Sequence, residues 1–241
     1  MLYLSRLIID TRSSAARRDL ADCHQLHRRI LGAFPQAPEG ASAREHFGLL
    51  YRAEPFERDP RLVRVLVQSA TMPDWSRLPA GYLAPPPDER GNPAVRPIGG
   101  EYAQIHAGMR LIFRLRANPT RRIGADNAEQ GERWRGKRVE LRREEDQLAW
   151  LARKGEAGGF RLVGVEVRPE VPDARATTLE KVRGRRPSGG SADTMPLRFG
   201  AVLFEGRLEV TDRAAFLDTL RVGIGSGKAF GFGLLSVASA S

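Results

Sequence analysis

The sequence predicts an α+β fold in which the two halves of the chain repeat one order of elements, β-α-β-β-α-β. Three observations support it: β-branched or alternating apolar runs, helical spacing of apolar residues, and a Pro- and Gly-rich segment at 84–100 between the halves. This order is that of the ferredoxin-like fold, which RNA-recognition domains share. We therefore expect two tandem ferredoxin-like (RRM-like) domains, at 1–100 and 101–241.

In the N-terminal half, one amphipathic segment separates several short apolar runs. Leu20, Leu26 and Ile30 fall at helical spacing in that segment, and Pro35 ends it. The run at 61–69 is the clearest strand because it is rich in Val and Leu. The predicted elements are a strand at 2–9, a helix at 19–33 with Asp19 as its N-cap, strands at 46–52 and 61–69, a short helix within 72–80, and a closing strand at 102–105.

The C-terminal half follows the same order, with a long hairpin added. Asp212 is predicted to cap the last helix, and glycines at 158–159 end the helix before it. The predicted elements are a strand at 109–117, an exposed basic hairpin or loop at 119–139, a helix at 142–153, a strand at 160–167, hairpin arms at 177–183 and 194–210, the helix capped by Asp212, and a strand at 233–238.

The most unusual stretch is rich in glycine and runs from Gly223 to Leu235. Five of its first eleven residues are glycine. Alternate glycines let successive N–H groups turn inward into a concave nest that attracts anions. We expect Gly223, Gly225, Gly227 and Lys228 to hold a phosphate, and a glycine-rich turn that binds no ligand is the alternative.

This loop matches neither of the two common nucleotide-binding motifs. A Walker loop needs Ser or Thr after its lysine, but Ala229 follows Lys228. The dinucleotide fingerprint needs a third glycine where Lys228 stands. An extended polyphosphate such as RNA is therefore the favoured ligand.

The net charge of +10 is concentrated in two segments. Residues 110–143 contain 11 Lys and Arg against four Asp and Glu, and residues 181–198 contain five against one. The remainder of the chain is close to neutral. Localised positive charge of this kind is typical of a surface that binds nucleic acid.

Cysteine content and hydropathy indicate a soluble cytoplasmic protein. The single cysteine, Cys23, excludes an internal disulfide, as expected in a reducing compartment. There is no run of 18 apolar residues, so no transmembrane helix is expected. The first residues form an apolar run too short, and too soon acidic, for a signal peptide.

Seven blocks, in order over nearly the whole chain, resemble a single family. The two most specific are Arg-Leu-Arg-Ala-Asn-Pro at 114–119 and Gly-Ile-Gly-x-x-Lys-x-x-Gly-x-Gly-Leu-Leu at 223–235. The sequence resembles the CasE family, the CRISPR subtype I-E repeat-processing endoribonucleases of the RAMP superfamily. The other five blocks are 2–9, 19–27, 65–74, 147–153 and 202–208.

The resemblance implies two ferredoxin-like domains and a defined reaction. The family binds a stem-loop in the CRISPR repeat transcript, the precursor crRNA, and cuts on the 3′ side of the stem base. The cut uses the RNA's own 2′-OH, needs neither metal nor cofactor, and leaves a 2′,3′-cyclic phosphate and a 5′-OH. The protein then stays on the stem-loop of the crRNA as a subunit of the Cascade surveillance complex.

The resemblance places the family's active-site histidine at His27. An imidazole can take the 2′-OH proton or protonate the leaving oxygen near neutral pH. His24 lies one helical turn earlier on the same face, where some family members carry tyrosine. Arg28 could neutralise the scissile phosphate. We expect His27, His24 and Arg28 to be catalytic, and a surface histidine and a solvated arginine are the alternatives.

Other arginines are expected to bind RNA phosphates. Arg29 adjoins the catalytic candidates, and the hairpin tip at 183–190 is polar and basic. The major groove of RNA is narrow and deep, but we expect a thin β-ribbon of arginines to enter it at the end of a stem, with a solvated tip as the alternative. The predicted RNA-binding arginines are Arg29, Arg114, Arg116, Arg183, Arg185 and Arg186.

Two other functions remain open alongside a metal-independent endoribonuclease. One is a non-cleaving RNA-binding subunit of the same superfamily, from which the presence of His27 would separate this chain. The other is an unrelated RNA chaperone or ribosomal-type protein, against which the order of the seven blocks argues.

Two further groups of residues carry weaker signals. The Asp-Cys-His run at 22–24 is not expected to bind metal, because adjacent residues on a helix do not converge on one point. Trp75 and Trp134 could stack on bases, whereas Trp150 lies in a predicted helix and is expected in the core.

Overall fold

The computed structural model describes residues 1–57, 59–123, 136–187 and 194–240. Its first main sheet consists of β1 (Tyr3–Asp10), β2 (Leu50–Pro55), β3 (Leu62–Ser69) and β4 (Ala94–Pro97). These strands lie in the order β2-β3-β1-β4, and every neighbouring pair is antiparallel. The order and pairing are consistent with the predicted ferredoxin-like fold.

The helices of this half differ from the prediction at the amphipathic segment. The predicted single helix is two helices, α1 (Ser14–Ala21) and α2 (Cys23–Leu31), and Asp22 stands between them with an extended backbone. Asp19 is therefore not an N-cap. It lies buried within α1, where its carboxylate accepts hydrogen bonds from Arg29 and Tyr82. Short helices follow at α3 (Ala43–His46), at a 3₁₀ turn (Trp75–Arg77) and at α4 (Gly99–Ala103).

The closing strand of the first sheet lies in the segment that was predicted to be a linker. The predicted strand at 102–105 is wrong, because Tyr102 belongs to α4 and β4 pairs with β1 instead. A sheet edge tolerates the prolines around β4, since one side of an edge strand needs no backbone donors.

The second main sheet is built around a long hairpin, as predicted. Its strands are β5 (Arg110–Ala117), β8 (Phe160–Leu162), β11 (Ala174–Pro187), β12 (Thr194–Val210) and β13 (Leu235–Ser239). They lie in the order β11-β12-β5-β13, and β8 also pairs with β12. The helices α5 (Glu144–Ala157) and α6 (Arg213–Val222) belong to this half, and the Asp212 carboxylate caps α6 as predicted.

Two small ribbons complete the second half. The basic excursion is a hairpin where it is described, with β6 (Thr120–Arg122) paired to β7 (Arg138–Glu140). The predicted strand at 160–167 is interrupted, so that β9 (Gly164–Val165) pairs with β10 (Arg168–Pro172).

Each main sheet covers its own hydrophobic core. One core gathers residues from 7 to 82 and the other gathers residues from 105 to 235. The α+β class is confirmed, and the division at residues 100 and 101 stays a prediction. In the described part of the chain, no helix is long and apolar enough to cross a membrane.

The tryptophans that the structure describes lie in these cores. Trp150 is 6% exposed and stacks on Phe204, as predicted. Trp75 is not a base-stacking platform, because it is 5% exposed and its Nε1 donates to Ser5 Oγ. Trp134 lies outside the described residues.

Candidate active site

Helix α2 carries both candidate histidines, and its start is fixed by Asp22. One carboxylate oxygen of Asp22, Oδ1, accepts hydrogen bonds from the backbone N–H of His24 at 2.8 Å and of Gln25 at 3.3 Å. Such N-caps typically contribute about 1 kcal/mol of stability. Because Leu26 and Ile30 face the core, the neighbouring face of α2 presents His24 and His27 at partial exposure.

The start of α2 also packs against strand β11. The second carboxylate oxygen of Asp22 accepts a hydrogen bond from the backbone N–H of Arg185 at 3.1 Å. A Cβ atom at Gly184 would lie 2.6 Å from Asp22 Oδ1 and 2.7 Å from Cys23 Sγ, so only glycine permits this approach. The helix that bears the histidines is thereby joined to the strand that bears the predicted RNA-binding arginines.

The glycine-rich loop also packs against α2. Positive φ angles at Gly223, Gly225 and Gly227, between 77° and 81°, require glycine in these positions. The loop is fastened to the first sheet by Tyr51, whose hydroxyl donates to the carbonyl of Ala229 at 3.1 Å.

Part of the predicted anion nest is used within the protein. The N–H of Ile224 donates to the carbonyl of Gly233, and the N–H of Gly223 donates to the carbonyl of Thr219. An anion would therefore meet this loop at Gly225, Gly227 and Lys228.

His27 lies where α2 meets this loop. Its ring contacts the ring of Phe230 edge-on, with centroids 6.2 Å apart. Burial first, and then the positive charges of His24 and Arg44, lower the pKa of His27 to about 4. Its Nδ1 is buried and has no hydrogen-bond partner among the described residues. The imidazole is therefore neutral at pH 7.

Lys228 shares the positive surroundings of His27. Burial lowers the pKa of Lys228, and the charges of Arg44 and Lys154 act in the same direction, whereas Glu45 opposes them. An anion placed beside Lys228 and His27 would relieve this repulsion. Arg44 is thus a site residue that no sequence signal revealed, because a short helix brings it to the site from a distant part of the chain.

The arginines that follow His27 have different environments. Arg28 is exposed, as a phosphate contact requires. Arg29 is held by Asp19 through a 2.6 Å ion pair, and its guanidinium lies 5.6 Å from the centre of the Tyr82 ring. The RNA contact predicted for Arg29 stays a prediction, and the structure gives this side chain a packing role.

Arg114 and Arg116 lie between the two sheets. Arg114 pairs with Glu205 at 2.5 Å and with Glu54 at 3.6 Å. Arg116 donates to the carbonyl of Ala53, and burial lowers its pKa. Their predicted RNA contacts also stay predictions, because both guanidinium groups already contact the protein.

The arginines of strand β11 are exposed. Arg183 and Arg185 point to one face of the ribbon and Arg186 to the other, because side chains alternate along a strand. Arg183 pairs in register with Arg198 of β12, which places a further cation beside it. The rest of the hairpin tip, at 188–193, lies outside the described residues.

The residues of the run at 22–24, which is not expected to bind metal, have other roles. Asp22 caps α2, and burial raises the pKa of the Cys23 thiol to about 11, so that the thiol stays protonated. Among the described residues, no group of three or more His, Cys, Asp or Glu side chains is arranged to hold a metal ion.

The assembled site is a neutral imidazole surrounded by cations. His27, His24, Arg44 and Lys228 form its centre, with exposed Arg28 nearby and the arginines of β11 beside the start of α2. Such a set can bind a phosphodiester, take a proton and return one. One carboxylate, that of Glu45, also lies beside this set, and it forms a 2.6 Å ion pair with Arg44.

Comparison of the sequence with known proteins finds one family and two relatives that match nearly the whole chain. The sequence matches the family described as CRISPR associated protein over residues 2–239. It is 43% identical over 237 residues to the CRISPR-associated endoribonuclease Cse3 of Thermus thermophilus, which covers 98% of this chain and 100% of that protein. It is 31% identical over 240 residues to the CRISPR system Cascade subunit CasE of Escherichia coli K12, which covers 98% and 99%.

A solved structure resembles the fold as well. It is that of Thermus thermophilus Cse3 bound to an RNA representing a pre-cleavage complex, with a TM-score of 0.71 and 40% identity over 98% of each chain.

Proposed function

We infer the function of this chain from the premise that it belongs to the CRISPR associated protein family. We propose that it is an endoribonuclease that binds the stem-loop of a CRISPR repeat and cuts precursor crRNA at the 3′ base of the stem. The observation that carries this proposal is His27, a neutral imidazole set among cations at the junction of the two sheets.

The proposed reaction is an internal transesterification. The 2′-oxygen forms a bond to phosphorus while the bond from phosphorus to the 5′-oxygen breaks, which leaves a 2′,3′-cyclic phosphate and a 5′-OH. Neutral His27 is suited to accept the 2′-OH proton, because its lowered pKa keeps it unprotonated. His24 or Lys228 supplies the proton to the leaving oxygen, and Arg28 and Arg44 stabilise the charge on the phosphate.

Cleavage of a repeat stem-loop in EDTA tests this proposal. The expected products are a cyclic phosphate and a 5′-OH, at a rate that added Mg²⁺ leaves unchanged. A requirement for a divalent ion in the chemical step, or products with a 3′-OH, would contradict it.

We also propose a fate for the product. The protein stays bound to the stem-loop of the crRNA as a Cascade subunit in the cytoplasm, in keeping with the name of its Escherichia coli relative. The expected signature is a cleaved stem-loop that stays bound through many cycles of buffer exchange after the 3′ segment has left.

The arginines of β11 are expected to bind RNA without taking part in the chemistry. Replacing Arg183, Arg185 and Arg186 together by alanine should weaken binding of the stem-loop and reduce its salt dependence, because each phosphate contact releases counterions. The measurement is the dissociation constant across a range of salt concentrations.

A matched triple variant controls for the loss of three charges. Alanine at Arg90, Arg153 and Arg168 removes three exposed arginines elsewhere. An unchanged salt slope in the β11 variant, with the fold intact, would mean that this strand faces solvent in the complex.

His24 is expected to assist His27 as the second proton-transfer group. His24→Ala should lower the single-turnover rate by about 10²-fold, the lower end of the range for general acid–base groups. It should also raise the pKa of His27, because the charge of His24 contributes to lowering it. His24→Tyr should recover part of the rate. If His24→Ala cleaves like the parent from about pH 5 to 9, His24 is a bystander.

A further inference from the structure

A basic cleft lies beside the glycine-rich loop, which forms one of its walls. Its volume is about 590 Å³. Three parts of the second half form its walls: the β6–β7 ribbon, helices α5 and α6, and the loop itself. The lining residues that matter here are Asn118, Arg122, Arg138, Lys154, Thr219 and Lys228.

The cleft carries positive charge that the described residues do not neutralise. Arg122, Arg138, Lys154 and Lys228 line it, and no carboxylate is among its described lining residues. None of these four forms an ion pair with a carboxylate in the described part of the chain. Repulsion between Lys154 and Lys228 contributes to the lowered pKa of Lys228. The cleft is therefore suited to anions.

A buried amide in the cleft indicates that the ligand carries a hydrogen-bond donor as well as a negative charge. Asn118 lines the cleft but is only 7% exposed, and its Oδ1 has no hydrogen-bond partner among the described residues. A buried acceptor without a donor costs about 1–3 kcal/mol. A ligand that offers a hydroxyl donor beside its phosphate satisfies both the amide and the cations, and a ribonucleotide does so through its 2′-OH.

The cleft continues from the candidate active site. Lys228 lines the cleft and is also close enough to Arg44 for their charges to interact, and Arg44 acts on His27 in the same way. Strand β11 contacts the start of the same helix α2 that carries His27. If the RNA stem binds along β11 and the scissile phosphate lies at His27, the RNA that continues beyond this phosphate enters the cleft.

We propose that this cleft binds the single-stranded RNA on the 3′ side of the scissile phosphate, the segment that leaves after cleavage. This inference rests on the proposed function and adds a subsite to it. The cations hold one or more phosphates of this 3′ flank, and Asn118 accepts a hydrogen bond from a ribose 2′-OH.

The test measures how much a flank strengthens binding. The probe is a repeat stem-loop with a 2′-deoxy nucleotide before the scissile phosphate, so that the nucleophile is absent and no cut occurs. Its dissociation constant is compared with one and with four nucleotides on the 3′ side, and separately with added nucleotides on the 5′ side. The longer 3′ flank should tighten binding about tenfold, the ratio expected for one hydrogen bond to a charged group. The salt slope should steepen by about 0.7 for each phosphate held.

Neighbouring residues on α5 provide matched variants. Lys154→Ala should remove most of the gain from the 3′ flank. Arg153→Ala should keep it, because Arg153 is also exposed on α5 but does not line the cleft. A 3′ flank made of deoxynucleotides should lose the part of the gain that depends on Asn118, so that Asn118→Ala weakens the ribonucleotide flank more than the deoxynucleotide flank.

Three results would overturn the subsite. They are an equal loss in both α5 variants, a gain from the 5′ flank in place of the 3′ flank, or no gain from either flank. In all three cases cleavage of the unmodified stem-loop would still support the proposed function. Failure to bind or cut any stem-loop would contradict the proposed function itself.

Discussion

Replacing His27 by alanine is expected to lower the single-turnover rate of repeat cleavage by at least about 10²- to 10⁴-fold, the contribution of a general acid–base group. Binding of the stem-loop should change little, because His27 is a neutral group in the free protein and the arginines of β11 are untouched. Single-turnover cleavage together with a dissociation constant for the 2′-deoxy substrate separates these two effects.

The pH dependence follows from the lowered pKa of His27. A base must be unprotonated to act, and below its pKa it is protonated, so the rate falls as the pH falls through that value. Measured with protein far below saturation, the rate should hold down to about pH 5 and fall near pH 4. At saturation the bound phosphate raises the pKa of His27, so the fall should come at higher pH.

A second histidine variant tests whether the lower cleavage rate of His27→Ala is specific to that position. His46→Ala removes another histidine of the first half, in the short helix α3, and should leave the rate unchanged. If His27→Ala cleaves within about threefold of the parent, the imidazole takes no part in the reaction, and Lys228 or Arg28 becomes the next candidate.

Replacing Arg52 by methionine is expected to destabilise the protein by about 2–4 kcal/mol, because Glu54 loses a buried partner and buried acceptors in the second half lose a charged donor, whereas Arg64 still pairs with Glu54. Arg52 is 2% exposed and pairs with Glu54 at 2.5 Å. Its Nη1 also donates to the carbonyls of Arg114 and Leu234 and to Ser236 Oγ. The side chain thus fastens β2 of the first sheet to the second half of the chain.

Urea denaturation measures the free energy of unfolding for this variant. Arg61→Met serves as the comparison, because Arg61 forms an ion pair with Asp59 at 2.8 Å but is two-thirds exposed. Exposed pairs contribute little, so this variant should unfold at nearly the parental concentration of urea. Equal midpoints for the two variants would show that burial of Arg52 is not what fastens the sheets.

The sequence predicted the fold where local patterns decide it. The β-branched run of β3 and the Asp212 cap of α6 are confirmed, because short-range chemistry specifies both. The closing strand β4 was missed because prolines mask it and only its pairing with β1 defines it. The break at Asp22 was missed because the apolar spacing continues across it. The resemblance to the CasE family is confirmed by the match to the Escherichia coli protein of that name.

The candidate site was predictable only in part. His27, His24 and the glycine-rich loop stand out in the sequence, and the structure brings His27 and the loop together. Arg44, Tyr51 and Asn118 were not predictable, because each joins the site through tertiary packing. Arg29, Arg114 and Arg116 were predicted to bind RNA from their charge and their position along a helix or strand. Neither property reveals that the guanidinium group already contacts a carboxylate or a carbonyl of the protein.

The contacts of the Asp22 carboxylate determine which parts of strand β11 can tolerate an insertion or deletion during evolution. One oxygen holds the start of α2 and the other holds β11 at Arg185, while Gly184 leaves no space for a side chain. An insertion or deletion in β11 before Gly184 would shift the strand against the helix and displace His27. Beyond Pro187, changes in length or composition leave this junction intact. On the proposed function, the end of the hairpin can therefore change along with the repeat sequence while the position of His27 is kept.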